Sequence, residues 1–541
     1  MPNIEPTTVS QSLQEVFNFS MNPKIQFRVA PQLVVSSLIF ALLVVTSAQT
    51  TPADVKLPAL FSDNMVLQQN ARLPIWGWAD EGEQVTVSFR NSKATTVAEA
   101  GKWQVTLGSF KAGGPDQLAV SGKNTITLTN VMVGEVWVCS GQSNMEWPLS
   151  SSFEAQADIA ASASSMLRLF TVPRLKSDEP QTDVKAAWVE SNPEITPKFS
   201  AVAYYFGRSL QAARKVPVGL IHTSWGGSPA EVWMRRQVLE ANPEYKKSIL
   251  DKYDADLKKY QEDLTQFEKE QGELKRQGQT SDKKAPQRPN WKPSELYNGM
   301  IAPLLPYAIK GAIWYQGESN ASRAYQYRSL FADMIRNWRQ DWKQGDFTFL
   351  AVQLAPWDKN KKRSLEEITA TPGDSDWAEL REAQVLATQT LPKVGMAVIT
   401  DVGDKDDIHP TRKRPVGERL ALAARGIAYG EKVVYSGPIY KSMKINGDRA
   451  VLTFNHAGRG LEARDGQLKG FSIAGADQKF VWAKAEVRGN KVIVSSPQAS
   501  TPAAVRYGWA DYPVVNLWSK DGLPASPFRT DNFPMITRPQ N

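Results

Sequence analysis

From Gly134 to Tyr429, short unbroken apolar runs alternate with amphipathic stretches, and this rhythm limits the fold more than any other feature of the chain. A run such as Val218-Gly219-Leu220-Ile221 has no polar side to turn toward water, so a strand built from it needs cover on both faces. Helices between such strands carry the chain back across the sheet and make the strands parallel. Strands are predicted at residues 135–139, 167–172, 218–223, 311–315, 348–354 and 396–400, with helices at 199–213, 324–342, 377–391 and 414–429. The predicted fold class is α/β, with a parallel sheet between helical layers.

The flanks follow a different pattern. Gln84-Val85-Thr86-Val87-Ser88-Phe89 and Thr125-Ile126-Thr127-Leu128 alternate along the chain and are bounded by Gly, Asn and Asp, as in half-buried antiparallel strands. This predicts an N-terminal β-sandwich-like region at 57–130, a core at 131–430, and a C-terminal β region at 431–541. A chain of 541 residues is too long for a single hydrophobic core in any case. Residues 245–284 interrupt the core. They are dense in Lys, Glu, Asp and Gln, and are expected to form an inserted, largely solvated helical excursion; a partner-binding coiled coil is the alternative, disfavoured by the thin apolar repeat.

The net charge of +8 is spread among mixed acidic and basic residues, with no basic block, so nucleic acid is not an expected partner. The single cysteine, Cys139, excludes internal disulfides and lacks companions for a structural zinc site. Near the N-terminus, Lys24 and Arg28 precede an apolar run at 33–45 that closes on Thr46-Ser47-Ala48. Residues 1–48 thus look like a signal peptide cut after Ala48, with Met21 an alternative start, and predict a secreted or periplasmic protein. The run is about a dozen residues, short of the roughly 20 a membrane span needs; a retained anchor is the alternative, and no other segment could span.

Three histidines narrow any imidazole chemistry to His222, His409 and His456. His456 has no neighbouring carboxylate in sequence, and His222 ends an apolar strand where it can pack beneath or line a site. His409 lies in Asp404-Lys405-Asp406-Asp407-Ile408-His409-Pro410, after the last predicted core strand, where open α/β sheets carry their sites. An Asp three residues before a His can fold back onto Nδ1, fixing the tautomer and aiming Nε2 at a nucleophile; that spacing selects Asp406. Ser143 follows the first core strand in Ser140-Gly141-Gln142-Ser143-Asn144-Met145, where Gly141 permits a sharp exit from the sheet. There the Ser143 N–H can face a developing oxyanion. Ser140 is the competing serine, and Cys139 is expected to be buried and inert. Further oxyanion donors are offered by Gly226 and Gly227 in Ser224-Trp225-Gly226-Gly227-Ser228-Pro229, and by the amides of Gln316 or Asn320 in Gln316-Gly317-Glu318-Ser319-Asn320.

These segments resemble the SGNH hydrolases, and specifically the sialate O-acetylesterase family of carbohydrate acetylesterases. The similarity rests on Cys139-Ser140-Gly141-Gln142-Ser143-Asn144-Met145, Ser224-Trp225-Gly226-Gly227-Ser228-Pro229, Trp314-Tyr315-Gln316-Gly317-Glu318-Ser319-Asn320 and Asp407-Ile408-His409-Pro410. Leu380-Arg381-Glu382-Ala383-Gln384 and Ala525-Ser526-Pro527-Phe528-Arg529-Thr530-Asp531 are similar too. The resemblance implies a three-layer α/β/α core with β-sandwich additions, and no metal or organic cofactor. It implies Ser143 as nucleophile, His409 as base, and an oxyanion hole of Ser143, Gly227 or Gly226, and Gln316, with Asn320 the alternative. The acidic partner stays open between Asp406, from spacing, and Asp407, which lies in the matching stretch. Trp147, Trp225 and Glu318 are the candidate substrate-binding residues. The expected reaction is acyl transfer from an acetylated carbohydrate, most simply a sialic acid. Acetylated xylan is the second substrate, and a carbohydrate-binding protein with a dead core is the rival of a different class.

Overall fold

The computed structural model describes residues 54–539, so the signal-like segment lies outside the described residues. Its centre is a sheet of seven core strands: β1 (Thr125–Gly141), β2 (Ser164–Thr171), β3 (Val189–Ser191), β4 (Val218–Ser224), β5 (Gly311–Tyr315), β6 (Thr348–Val352) and β7 (Val394–Ala397). Their spatial order is β7-β6-β5-β1-β4-β2-β3. All neighbours pair in parallel except β3, which runs antiparallel to β2 at the edge. The sheet is therefore mixed, where the sequence predicted a parallel one.

The principal helices are α1 (Ser143–Glu146), α2 (Ala201–Arg214), α3 (Lys252–Arg276), α4 (Ala324–Trp342), α5 (Asp376–Thr390) and α6 (Arg414–Ile427). Alternation along β1 divides the layers. Trp137 and Cys139 join Val202, Phe206, Leu420 and Ala424 of α2 and α6 on one face. Val136 and Val138 join Leu330, Trp338 and Leu380 of α4 and α5 on the other. Burying a Val, Leu or Phe side chain contributes about 1.5–3 kcal/mol, so these two faces hold the sheet's orientation. Ser200 caps α2 by accepting from the Ala203 N–H, and Lys215 ends it in a left-handed conformation.

β1 is 17 residues long and belongs to two regions. Its first half pairs with Gly113–Ser121, which pairs with Gln84–Phe89, and its second half is the centre of the core sheet. The N-terminal antiparallel strands thus continue into the core sheet. The C-terminal region has two four-stranded antiparallel sheets sharing a core of Leu452, Phe454, Phe471, Val492, Val505 and Phe528. Arg381, fully buried, ties that region to the core by donating to the carbonyls of Leu354, Ala355, Ala510 and Asp511. Burial pulls its guanidinium down to about 9. In the charged segment, Tyr253 is the only buried residue of α3, and i,i+4 pairs such as Lys252–Asp256 line its exposed surface. Exposed pairs of this kind contribute little to stability.

Candidate active site

The site is built at the carboxyl ends of β1, β4, β5 and β7. Register brings the first three together: Gly141 is flanked by Ser224 on one side and Tyr315 on the other. The Trp225 N–H donates to the Gly141 carbonyl, and the Gln142 N–H to the Tyr315 carbonyl. A Cβ on Gly141 would stand 2.2 Å from the Tyr315 carbonyl oxygen, and φ there is +141°, so glycine is required by both contact and conformation.

The short helix α1 then sends one polar side chain to each neighbouring loop. The Gln142 Oε1 accepts from the N–H groups of Gly317 and Ser319, at 3.4 and 3.3 Å. Asn144, with no exposed surface, donates to Glu318 Oε1 at 2.6 Å and to the Ile408 carbonyl at 3.0 Å. Glu146 Oε2 accepts from the Gly226 N–H at 2.9 Å. In this web Ser143 Oγ lies 2.8 Å from His409 Nε2. Ser143 is the first residue of α1, so its N–H has no acceptor within the helix. A hydroxyl bonded to an imidazole beside an unspent N–H is the arrangement acyl transfer requires.

Trp147 stacks on His409, with centroids 5.4 Å apart and planes 19° apart, so it covers the imidazole. Burial holds the His409 imidazole below its usual range; Asp407 acts against that shift and Lys413 with it. His222 is a core histidine. Its Nε2 is 2.6 Å from Ser224 Oγ, and burial, aided by Arg174, takes it down to about 4. Ser140 and Cys139 are both fully buried in β1, and burial pushes the Cys139 thiol well up. His456 packs against Tyr435 in the C-terminal region.

Several expected roles differ in the structure. Asp406 turns its carboxylate to Lys405, whereas Asp407 Oδ1 is 3.5 Å from His409 Nδ1 and accepts the His409 N–H at 2.9 Å. The Asp404 carboxylate accepts from the N–H groups of both Asp406 and Asp407, and this turn aims the second toward the imidazole. Gln316 is buried with its Nε2 on Ser228 O and Asn320 Oδ1, and its Oε1 accepting from Tyr327. The Gln316 amide thus keeps no hydrogen for an oxyanion, while Asn320 commits one of its two to Glu231 and accepts the Ala230 N–H on its oxygen. The Gly226 N–H is engaged by Glu146, while Gly227, exposed at φ +75°, has open space where a side chain would be. Glu318 turns inward to Asn144, and its Oε2 is buried without a partner among the described residues.

Residues missed in the sequence are Lys413, whose Nζ donates to Asn144 Oδ1, and Arg174, which pairs with Glu146 and lies 5.5 Å from the Trp225 ring centroid. Both sit in stretches rich in cations, where nothing local sets them apart. The Trp225 ring also meets Trp291 edge-on, and Lys176 stands 4.2 Å from the Trp291 ring centroid. A cleft of about 840 Å³, lined by Glu135, Lys310, Thr348 and Lys393, lies at the opposite ends of the strands, away from these groups.

The sequence model of the family described as "carbohydrate esterase, sialic acid-specific acetylesterase" matches residues 133–292 and 286–425. The chain belongs to this family. It is a carboxylic ester hydrolase of the SGNH superfamily. Among curated relatives of this esterase, the sialate O-acetylesterase of Mus musculus is 30% identical over 526 residues, covering 87% of this chain and 93% of that protein. The Homo sapiens sialate O-acetylesterase is 28% identical over 520 residues, covering 87% and 92%. Among solved structures, a carbohydrate acetylesterase from Xanthomonas citri is 40% identical with a TM-score of 0.76, covering 89% of this chain and all of that one. The matching motifs Leu380–Gln384 and Ala525–Asp531 have structural work: Gln384 closes the ends of β5 and β6, and Arg529 pairs with Glu382.

Proposed function

We propose that this esterase removes O-acetyl groups from carbohydrates, with O-acetylated sialic acids the leading substrates, by a Ser143 acyl-enzyme mechanism. The observation that carries the mechanism is the 2.8 Å contact between Ser143 Oγ and His409 Nε2 at the meeting point of four strand ends. His409 takes the Ser143 proton as the oxygen attacks the acetyl carbonyl. The tetrahedral oxyanion forms against the Ser143 N–H and the Gly227 N–H. The imidazolium then gives that proton to the departing sugar oxygen, which leaves as a hydroxyl, and water repeats the cycle to release acetate.

The sialate preference draws on the relatives' activity and on Arg174. This half-exposed guanidinium stands at the rim beside Trp225, its charge available to a substrate carboxylate that displaces Glu146. An uncharged polysaccharide such as acetylated xylan would have no use for that cation. The core is read as a three-layer SGNH arrangement with β-sandwich-like additions, and the signal-like segment supports export to the periplasm or the exterior.

The test is acetate release by wild type, Ser143→Ala and His409→Ala on a simple acetyl ester, an O-acetylated sialic acid and acetylated xylan. Wild type turns over the sialate ester fastest, and each variant loses at least about 10³-fold. A Ser143→Ala protein with undiminished turnover would remove the proposed nucleophile; inert wild type would bring forward a binding role.

A further inference from the structure

Lys413 is buried to 1% exposure against Asn144, the residue after Ser143, and the reaction as written gives it no task. A buried ammonium is expensive unless paired, yet no carboxylate lies within ion-pair reach of it among the described residues. Its hydrogen-bond partner is Asn144 Oδ1. Its Nζ stands 5.6 Å from the Trp147 ring centroid and 5.4 Å from that of Tyr315. Two of these three contacts lead back to His409. Trp147 stacks on the imidazole, and Asn144 donates to the carbonyl of Ile408, the residue before it.

We propose that Lys413 is a positioning residue for this esterase: it orients the Asn144 amide that pins the His409 loop, and its charge opposes protonation of His409. The proposal rests on His409 acting as the base. A side-chain amide accepts through its oxygen and donates through the two hydrogens of its nitrogen. With Lys413 donating to Oδ1, Nδ2 is directed at Glu318 and Ile408, and the loop carrying His409 is held to α1. Without that donor the amide loses its preferred orientation.

The electrostatic half follows from the groups around the site. Asp407 faces His409 and favours the imidazolium, while Lys413 disfavours it. Glu318 and Asp407 both favour the Lys413 charge against burial, which draws the ammonium down to about 7. The remaining charges nearby, Glu146 and Arg174, are paired with one another across the rim. Removing the Lys413 charge therefore makes the imidazolium easier to form, so the imidazole must be titrated at higher pH before it can accept a proton.

The experiment measures kcat/KM against pH on an uncharged acetyl ester for wild type, Lys413→Met, Lys413→Arg and the double variant Lys413→Met/Glu318→Gln. The double variant removes both buried charges and guards against a fold failure caused by leaving the buried Glu318 carboxylate without the cation whose charge it feels. In parallel, histidine NMR titration in the same proteins reads the His409 imidazole directly and needs no turnover; three histidines keep the spectrum assignable. Lys413→Met and the double variant move the acid limb and the imidazole titration upward by about 0.5–1 pH unit, and kcat falls about tenfold or more. Lys413→Arg restores the limb. A wild-type titration of His409 in folded Lys413→Met overturns the proposal, whatever the rate. Loss of the esterase reading itself would appear separately, as wild type inert on every ester.

Discussion

Replacing Gly141 by alanine tests whether the strand end really sets the nucleophile. The added Cβ would fall 2.2 Å from the Tyr315 carbonyl oxygen and 2.8 Å from its carbon, both backbone atoms that cannot swing aside. A carbon and a carbonyl oxygen approach to about 3.3 Å at closest, so β1 and β5 must separate by about 1 Å at this point. Alanine also has to hold φ near +141°, a conformation that costs about 1–3 kcal/mol, and the overpacking adds about as much again. The expected destabilisation is about 2–6 kcal/mol. Ser143 lies two residues along, and a misplacement of about 1 Å at a reacting atom costs about 10²-fold in rate. Thermal melts and acetate-release kinetics at a temperature where the variant is folded separate the two effects. Gly345→Ala is the control: it has φ +65° with nothing near its missing side chain, at the far end of β6, so it loses some stability and no activity. A Gly141→Ala enzyme that keeps its melting temperature and turns over within about threefold of wild type would refute the geometry.

Gln316→Ala leaves Ser228 O and the Tyr327 hydroxyl unpaired in the core, at about 1–3 kcal/mol each, while Asn320 Oδ1 keeps the Ala230 N–H. Denaturant melts should show this loss, while folded enzyme keeps kcat near wild type; a drop of about 10²-fold with unchanged stability would return Gln316 to the oxyanion hole. His222 titrates near 4 when folded against about 6.5 unfolded, so its stabilising share is complete above about 6.5 and is lost as pH falls toward 4. Unfolding free energy of wild type should therefore fall about 3 kcal/mol more than that of His222→Gln across this window, and parallel curves would contradict it. Arg174→Met should raise KM for an O-acetylated sialic acid about tenfold or less, because the guanidinium is half exposed, and leave an uncharged ester unaffected. Equal effects on both esters would remove the carboxylate contact.

The core was legible because burial on two faces leaves a mark that neighbours cannot erase. The strand expected at 311–315 and the helix at 324–342 occupy those residues, since both are bounded by Gly or by a sharp change in polarity. The strands at the seams were not legible. β1 reads as two pieces because Asn130 and Gly134 look like punctuation, yet Val131 and Val133 between them are fully buried and the strand runs through. β3 has three residues, too few to display any period, and it is the strand that makes the sheet mixed. In the site, Ser143 and His409 follow strand ends, which sequence shows, and they meet at 2.8 Å. Side-chain direction leaves no such mark: Gln316 and Glu318 lie in the expected loop and point into the protein.

The acidic partner of His409 shows what spacing leaves out. Counting residues selects Asp406, but the Asp404 carboxylate gathers the N–H groups of Asp406 and Asp407 into one turn, after which successive side chains diverge. Asp407 reaches the imidazole, and it does so from the surface: its side chain is 58% exposed and 3.5 Å from Nδ1. Water screens such a pair, so Asp407 orients the ring, chiefly through the His409 N–H, more than it stabilises the imidazolium. Asp407→Asn keeps an oxygen for both contacts and removes the charge that favours the imidazolium. The expected result is a loss in kcat/KM of about tenfold or less, far from the roughly 10⁴-fold seen where a buried triad carboxylate becomes an amide, with the acid limb moving to lower pH. Asp406→Asn changes neither. The shift is opposite in sign to that of Lys413→Met, so the two variants measured together bracket the imidazole between the charges that face it. A 10³-fold loss in Asp407→Asn would mean that the loop closes over Asp407 during catalysis and buries the pair.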